Sequence, residues 1–287
     1  MKGYRWAQLI GLIELQGWNP RVEFMGQNRH RVRMLWSMNN SKILWFVLGL
    51  GIFISGWQIA AIYIGASIIL PPPLEVIGIT RNLLATPRFW ISAQATILRV
   101  LEGFSFSLVV SVILGLGGGL SNRFRSLISP FILFMQSVPV LSVILILLVW
   151  FGSQRVPVVT PILMTLPVMT QAVIEGVRGV DPLLIQMAHS YQVPLRRQIR
   201  HIYLPSLLPG LFAGASASLG LSWKVAIAAE VLAQPNPGIG TAMQRAKTFL
   251  ETGEVFAWTL LAVALSGITQ GIFTLLARTW RHHGRSR

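Results

Sequence analysis

Residues able to do acid–base or nucleophilic chemistry are few here: nine carboxylates, five histidines and no cysteine in 287 residues. The missing thiol excludes a thiolate nucleophile, a thiolate metal site and a disulfide framework. The sequence has no Gly-x-x-x-x-Gly-Lys-Ser/Thr phosphate loop, no His-Glu-x-x-His zinc helix and no Gly-x-Ser-x-Gly elbow. A self-contained ATPase or intramembrane protease is therefore not expected. Gly115, Gly117, Gly118 and Gly119 lie in apolar flanks without a following lysine, so they read as small surfaces for close helix contact. His189, His201, His30, His282 and His283 read as surface histidines. What remains is charge placed at membrane depth. Trp223 is followed by Lys224 and, six residues later, Glu230, inside an otherwise apolar stretch. An ionisable residue there is a functional candidate, and a side chain that simply reaches the interface is the equal alternative.

A second candidate is the polar, basic island from Asp181 to Gly210. Leu184, Met187, Ala188 and Tyr191 recur at helical spacing opposite Gln186, His189, Ser190 and Gln192, and Pro194 should end that helix. A short amphipathic helix of this kind suits a groove on another protein. Lying on lipid head groups is the other reading.

The elements that must position these residues are apolar spans. With 53% hydrophobic and 11% charged residues the chain reads as an all-α polytopic membrane protein. The net charge of +15 fits Lys and Arg retained on the cytoplasmic side rather than nucleic-acid binding. Residues 1–41 form a basic arm without a spanning run or a cleavable signal pattern. Six spans are expected, at about Ile43–Ile64, Ile91–Leu120, Ile128–Trp150, Val156–Val177, Pro205–Trp223 and Val255–Leu276, within a transmembrane domain of residues 42–280 and before a basic tail, 281–287. Leu74 to Leu84 and Thr241 to Phe249 should be short helices outside, Gly152 to Arg155 an outer loop, and Arg99 and Glu102 a mutual pair. Pro130 and Ser137-Val138-Pro139 break the third span, a mark of a hinge or path border. Small residues from Gly210 to Ser222 should meet a second copy of the chain. Most Lys and Arg then fall on one side, which places both termini in the cytoplasm.

The run Gln186-Met187-Ala188, then Gln192, Ile202 and Leu204-Pro205, resembles the Glu-Ala-Ala, Gly, Ile, Leu-Pro loop of permease subunits of binding-protein-dependent ABC importers. Gln186, Met187 and Gln192 replace that loop's Glu, first Ala and Gly; Ala188, Ile202, Leu204 and Pro205 agree with it. Leu70-Pro71-Pro72-Pro73, Thr96-Ile97-Leu98-Arg99-Val100 with Gly103-Phe104, Val149-Trp150-Phe151-Gly152, and Trp223 with Ala229-Glu230 are similar to the nitrate, sulfonate and taurine branch. The resemblance implies a type I ABC importer permease fold with a coupling helix at about 183–194. Leu184, Gln186, Met187, Ala188, Tyr191, Gln192, Ile202, Leu204 and Pro205 are then the ATPase-coupling candidates. Ser137, Pro139, Trp223, Lys224 and Glu230 are the candidates for the translocation path. The implied partners are ABC ATPase subunits that carry ATP and Mg, a periplasmic or lipid-anchored solute-binding protein, a second permease copy or paralogue, and the lipids of a bacterial cytoplasmic (inner) membrane. No cofactor or metal is expected on this chain. The expected solute is small, with an anion such as nitrate, a sulfonate, taurine or bicarbonate first and an unrelated organic solute second. A passive channel or membrane scaffold is the reading from another class.

Overall fold

The computed structural model describes residues 43–283, with side chains through Ala277. The expected basic arm, 1–41, and most of the tail, 281–287, lie outside the described residues. Two compact units are resolved, one ending at Tyr63 and one beginning at Ile64. In the first, helix α1 (Ile43–Ile64) is apolar and exposed on nearly every face, with Trp45 at 73% and Tyr63 at 91%. A helix apolar all round is at home in lipid.

The second unit comprises α2 (Pro73–Leu84), α3 (Pro87–Leu120), α4 (Asn122–Ser137), α5 (Val140–Arg178), α6 (Pro182–Ser190), α7 (Leu195–Gln198), α8 (Leu204–Ala233), α9 (Ile239–Thr248) and α10 (Thr252–His283). A single π-turn, Ile199–Tyr203, joins α7 to α8. Proline at the first turn starts α2, α3 and α6, where its missing N–H costs nothing. Among the described residues five stretches are long and apolar enough to cross a membrane: α1, α3, α5, residues 195–233 and α10 through Ala277.

The centre of the unit is α3 laid along α5. Gly103, Ser107, Ser111, Gly115 and Gly119 repeat every four residues and put one small face on the partner. A β-carbon at Gly103 would lie 2.7 Å from the Val158 carbonyl, one at Gly115 would overlap Val173, and one at Gly119 would lie 2.5 Å from Val177. Between these contacts the Thr165 hydroxyl meets the Ser107 hydroxyl at 2.9 Å, and the Ser111 hydroxyl donates to the Leu166 carbonyl at 3.0 Å. Partner numbers rise together, so α3 and this part of α5 run parallel. Against α8 the order reverses: Gly176 touches Leu207, and Gly214 touches Ala172. Helix α10 runs parallel to α3, with ring centroids 5.7 Å apart at both Phe89–Trp258 and Phe104–Phe273.

Two parallel helices joined through α4 require the chain to cross back between them. It does so in a broken crossing. Helix α4 ends at Ser137, Val138 and Pro139 are extended, and α5 begins at Val140. At Gly152, with φ +68° and ψ 171°, α5 leaves helical geometry. Val140 and Leu163 both pack against the cluster of Ile144, Leu147, Val156, Ala229 and Ala233. A straight helix would hold those two residues about 35 Å apart, so the chain doubles back at Gly152. The outer loop expected over Gly152 to Arg155 is therefore one left-handed glycine, the residue type that adopts positive φ at no steric cost. The expected third and fourth spans become α4 with the first half of α5, and residues 153–178. The fifth, expected to stop at Trp223, continues to Ala233 as one helix, because nothing in Lys224 to Ala233 breaks it. The small-residue face expected to meet a second copy is partly used inside the chain, where Ala215, Ser218 and Ser222 are buried.

Candidate functional site

At one end of the bundle, α6 and α7 form a compact loop between α5 and α8. Asp181 caps α6, accepting from the Leu183 N–H at 2.9 Å. The far end closes by a Schellman motif: the Gln192 N–H donates to the His189 carbonyl at 3.0 Å, and Val193 to Ala188 at 2.9 Å. Gln192 has φ +50°. Here the expectation is corrected, since the left-handed Gln192 ends the helix at Ser190, and Pro194 instead caps the start of α7.

The faces of α6 also differ from the expected stripe. Leu183 is 69% exposed, Leu184 44%, Met187 54% and Tyr191 77%, while Ala188 is 2% exposed and turned inward. Ile185 packs against the cluster formed by Val173 and Val177 of α5, Val180 just beyond it, and Tyr203 and Leu207 at the α8 end. Ala188 thus supports the loop from beneath rather than presenting itself on the open face. Gln186 and Gln192 are exposed, Ile202 is half-buried in the same cluster, and Leu204 and Pro205 are exposed at the start of α8. Gln198 escaped the sequence reading: it is 6% exposed, and its amide donates to the Val193 carbonyl at 2.7 Å, tying α7 to the turn. A polar residue four after Pro194 gives no periodic signal that would separate it from its exposed neighbours.

The opposite end carries a buried polar network. Glu230 is fully buried and accepts from Arg99 Nη1 at 2.7 Å, from the Gly240 N–H at 2.9 Å and from the Thr96 hydroxyl at 2.9 Å. Thr96 in turn accepts the Ile239 N–H at 3.0 Å. Arg99 also donates to the Pro237 carbonyl at 2.7 Å and to Gln154 at 3.2 Å. The Arg99–Glu102 pair expected from helical spacing is not formed, because Arg99 turns to Glu230 and Glu102 stands 3.6 Å from Arg155. Removing one member of a buried ion pair leaves an uncompensated charge, at a cost of about 3–5 kcal/mol. The network therefore bolts α3, α8 and the 235–240 turn together.

These contacts redistribute the expected path residues. Trp223 is 1% exposed, its indole N–H on the Thr269 hydroxyl at 2.9 Å, and Glu230 is consumed by the network, so neither lines an open path in this conformation. Lys224, one residue on, is exposed. Ser137 and Pro139 are exposed at the helix break, with the Ser137 hydroxyl donating to its own turn at Leu133, 2.8 Å away. The five residues do not converge on one place. Among the described residues no group of three or more His, Asp or Glu could hold a metal ion.

Residues 107–282 match the family model described as binding-protein-dependent transport system inner membrane component. The chain is 32% identical over 239 residues to the putative aliphatic sulfonates transport permease protein SsuC of Escherichia coli, covering 82% of this chain and 89% of that one. It is 25% identical over 270 residues to the taurine transport system permease protein TauC of the same organism, covering 91% and 98%. Among solved structures it resembles the methionine ABC transporter MetNI in an inward-facing conformation, with a TM-score of 0.59 and 15% identity over 68% of this chain and 98% of that chain. That likeness is one of fold. The family match and these relatives agree: the chain belongs to the inner-membrane components of binding-protein-dependent transport systems and is a non-catalytic permease subunit of an ABC importer.

Proposed function

We propose that this permease couples to its ATPase through the outer face of α6 and carries a small anion. The observation that carries the coupling reading is the open row Leu183, Leu184, Met187 and Tyr191 on a helix whose other face is locked to the ends of α5 and α8. A displacement of α6 is thereby passed to two spans at once, the requirement for converting ATPase closure into alternating access. Gln186 and Gln192 rim the face, and Ile202, Leu204 and Pro205 form the joint with α8. ATP and Mg belong to the ATPase. On this reading a binding protein meets the opposite end, a second copy or paralogue completes the path near Ser137, Pro139 and Lys224, and both termini lie in the cytoplasm of a bacterium whose inner membrane holds the complex.

The anion is supported by the relatives named for sulfonates and taurine and by Arg245, exposed at the end away from α6. Met187→Asp tests the coupling. A carboxylate buried unpaired in a protein contact costs several kcal/mol, so the variant should reach the membrane at normal abundance and lose most of its co-purifying ATPase. Equal recovery with the unaltered chain would transfer the row to the lipid surface.

A further inference from the structure

At the end of the bundle away from α6 lies a cleft of about 500 Å³ lined by Arg88, Ser92, Gln234, Asn236, Thr241 and Arg245. We propose that it is a loading site for a small oxyanion, a sulfonate, carboxylate or bicarbonate, on its way into the path. The inference rests on the permease reading above and adds a residue-level site to it.

Three observations carry it. First, the lining holds two guanidinium groups and no carboxylate. The Arg245 side chain is exposed and forms no ion pair or side-chain hydrogen bond among the described residues, although the Glu251 carboxylate is near enough to feel its charge, as it feels that of Arg88. Arg88 is held only loosely, 3.5 Å from Glu254 and 45% exposed. A guanidinium fork matches the paired oxygens of a carboxylate or sulfonate. Second, Ser92 lines the same cleft, and its hydroxyl makes no hydrogen bond to protein among the described residues while staying open to the cleft, so it is free to donate to a solute oxygen there. Third, the wall is built in advance. The Pro237 carbonyl is fixed by Arg99, and the Asn236 carbonyl by Gln154 at 3.4 Å, so the turn carrying Asn236 and Gly238 is held to α3 and α5 before any solute arrives. Binding to such a wall loses little in ordering.

The neighbouring cleft has the opposite sign. It measures about 640 Å³ and is lined by Glu75, Glu251 and Glu254, with Arg88 on the wall between the two. A cation approaching this end is drawn to that side and an anion to Arg245, which makes the charge of the probe a discriminating variable.

The test is equilibrium binding of radiolabelled methanesulfonate, acetate and bicarbonate, with methylammonium as the cationic control, to the full chain and its co-purified ATPase in phosphatidylcholine nanodiscs. At least one anion should saturate in the millimolar range. Arg245→Gln should weaken that binding about tenfold or more, as expected for a lost hydrogen bond to a charged group. Ser92→Ala should weaken it severalfold, and Lys247→Gln, outside the lining, should leave it unchanged. No saturable binding of any of the three anions overturns the site, and so does an equal loss with Lys247→Gln. If instead anions fail to bind but Arg245→Gln abolishes docking of the binding protein, the cleft receives an acidic side chain of that partner and the proposal falls. In each of these outcomes a retained ATPase leaves the permease reading standing; loss of the ATPase from the unaltered chain would sink that reading separately.

Discussion

Gln192 holds a left-handed backbone, φ +50°, because the Schellman closure of α6 needs one residue of that hand. A β-carbon makes the conformation unfavourable by roughly 1–2 kcal/mol, and glycine removes that term at a smaller cost in unfolded-state entropy. Gln192→Gly should therefore stabilise the chain by about 1 kcal/mol, or roughly 2–4 °C in thermal unfolding for a domain of this size. An unchanged or lowered midpoint would mean that the exposed Gln192 side chain makes a compensating contact. At this scale the sequence was legible in spacing and illegible in orientation. The three- and four-residue recurrence of Leu184, Met187, Ala188 and Tyr191 finds the helix, yet cannot tell that its small member, Ala188, is the one packed inward. Glu230 shows the same limit, since its partners Arg99 and Thr96 lie more than 130 positions away in the chain.

Among elements, the decisive contact is α3 on α5, made by residues too small to register as a hydrophobic core. Five small residues four apart give α3 a groove, and α5 fills it with Val158, Pro161, Val173 and Val177. In lipid, where apolar side chains gain little by leaving the solvent, such close approach and interhelical hydroxyl bonds hold helices together. The parallel direction is testable because the chain has no cysteine of its own. The Ser107 and Thr165 hydroxyls are 2.9 Å apart. The double variant Ser107→Cys with Thr165→Cys should form an intrachain crosslink in membranes under mild oxidation, read as a mobility shift that reductant reverses. Ser107→Cys with Val177→Cys, one end of the groove away, should not. Apolar length placed the first, second, fourth and sixth expected spans within about four residues, taking α10 through Ala277, and stopped the fifth ten residues short of Ala233. The prolines did foretell the break at Val138 and Pro139, but Pro130, expected to break the same crossing, sits inside α4, as Pro157, Pro161 and Pro167 sit inside α5, and nothing in the apolar pattern marked the turn on Gly152 alone.

In the whole molecule, the proposed coupling face and the proposed entry cleft stand at opposite ends of one bundle, with α8 running between them from Leu204 to Ala233. Its inner face is closed by Trp223 on Thr269 and by Glu230 on Arg99, and its outer face carries Lys224. Lys224 stands nine residues before the helix ends, about 14 Å along the axis. An ammonium facing hydrocarbon at such depth costs about 2.5–3.5 kcal/mol, and Lys224 has no salt bridge or hydrogen bond among the described residues to offset it. Its surroundings in the assembled transporter are therefore expected to be aqueous or a second protein surface, which is the position of a path lining. Single-cysteine labelling separates the cases. Lys224→Cys should react with a membrane-impermeant maleimide, since the reaction needs a thiolate and hence water, and the rate should change when ATP drives the complex through its cycle. Trp223→Cys, on the buried side of the same turn, should stay unlabelled in both states. If Lys224→Cys is silent in every nucleotide state while membrane-permeant reagents reach it, the residue faces lipid or sealed protein, and the path runs along another face of α8.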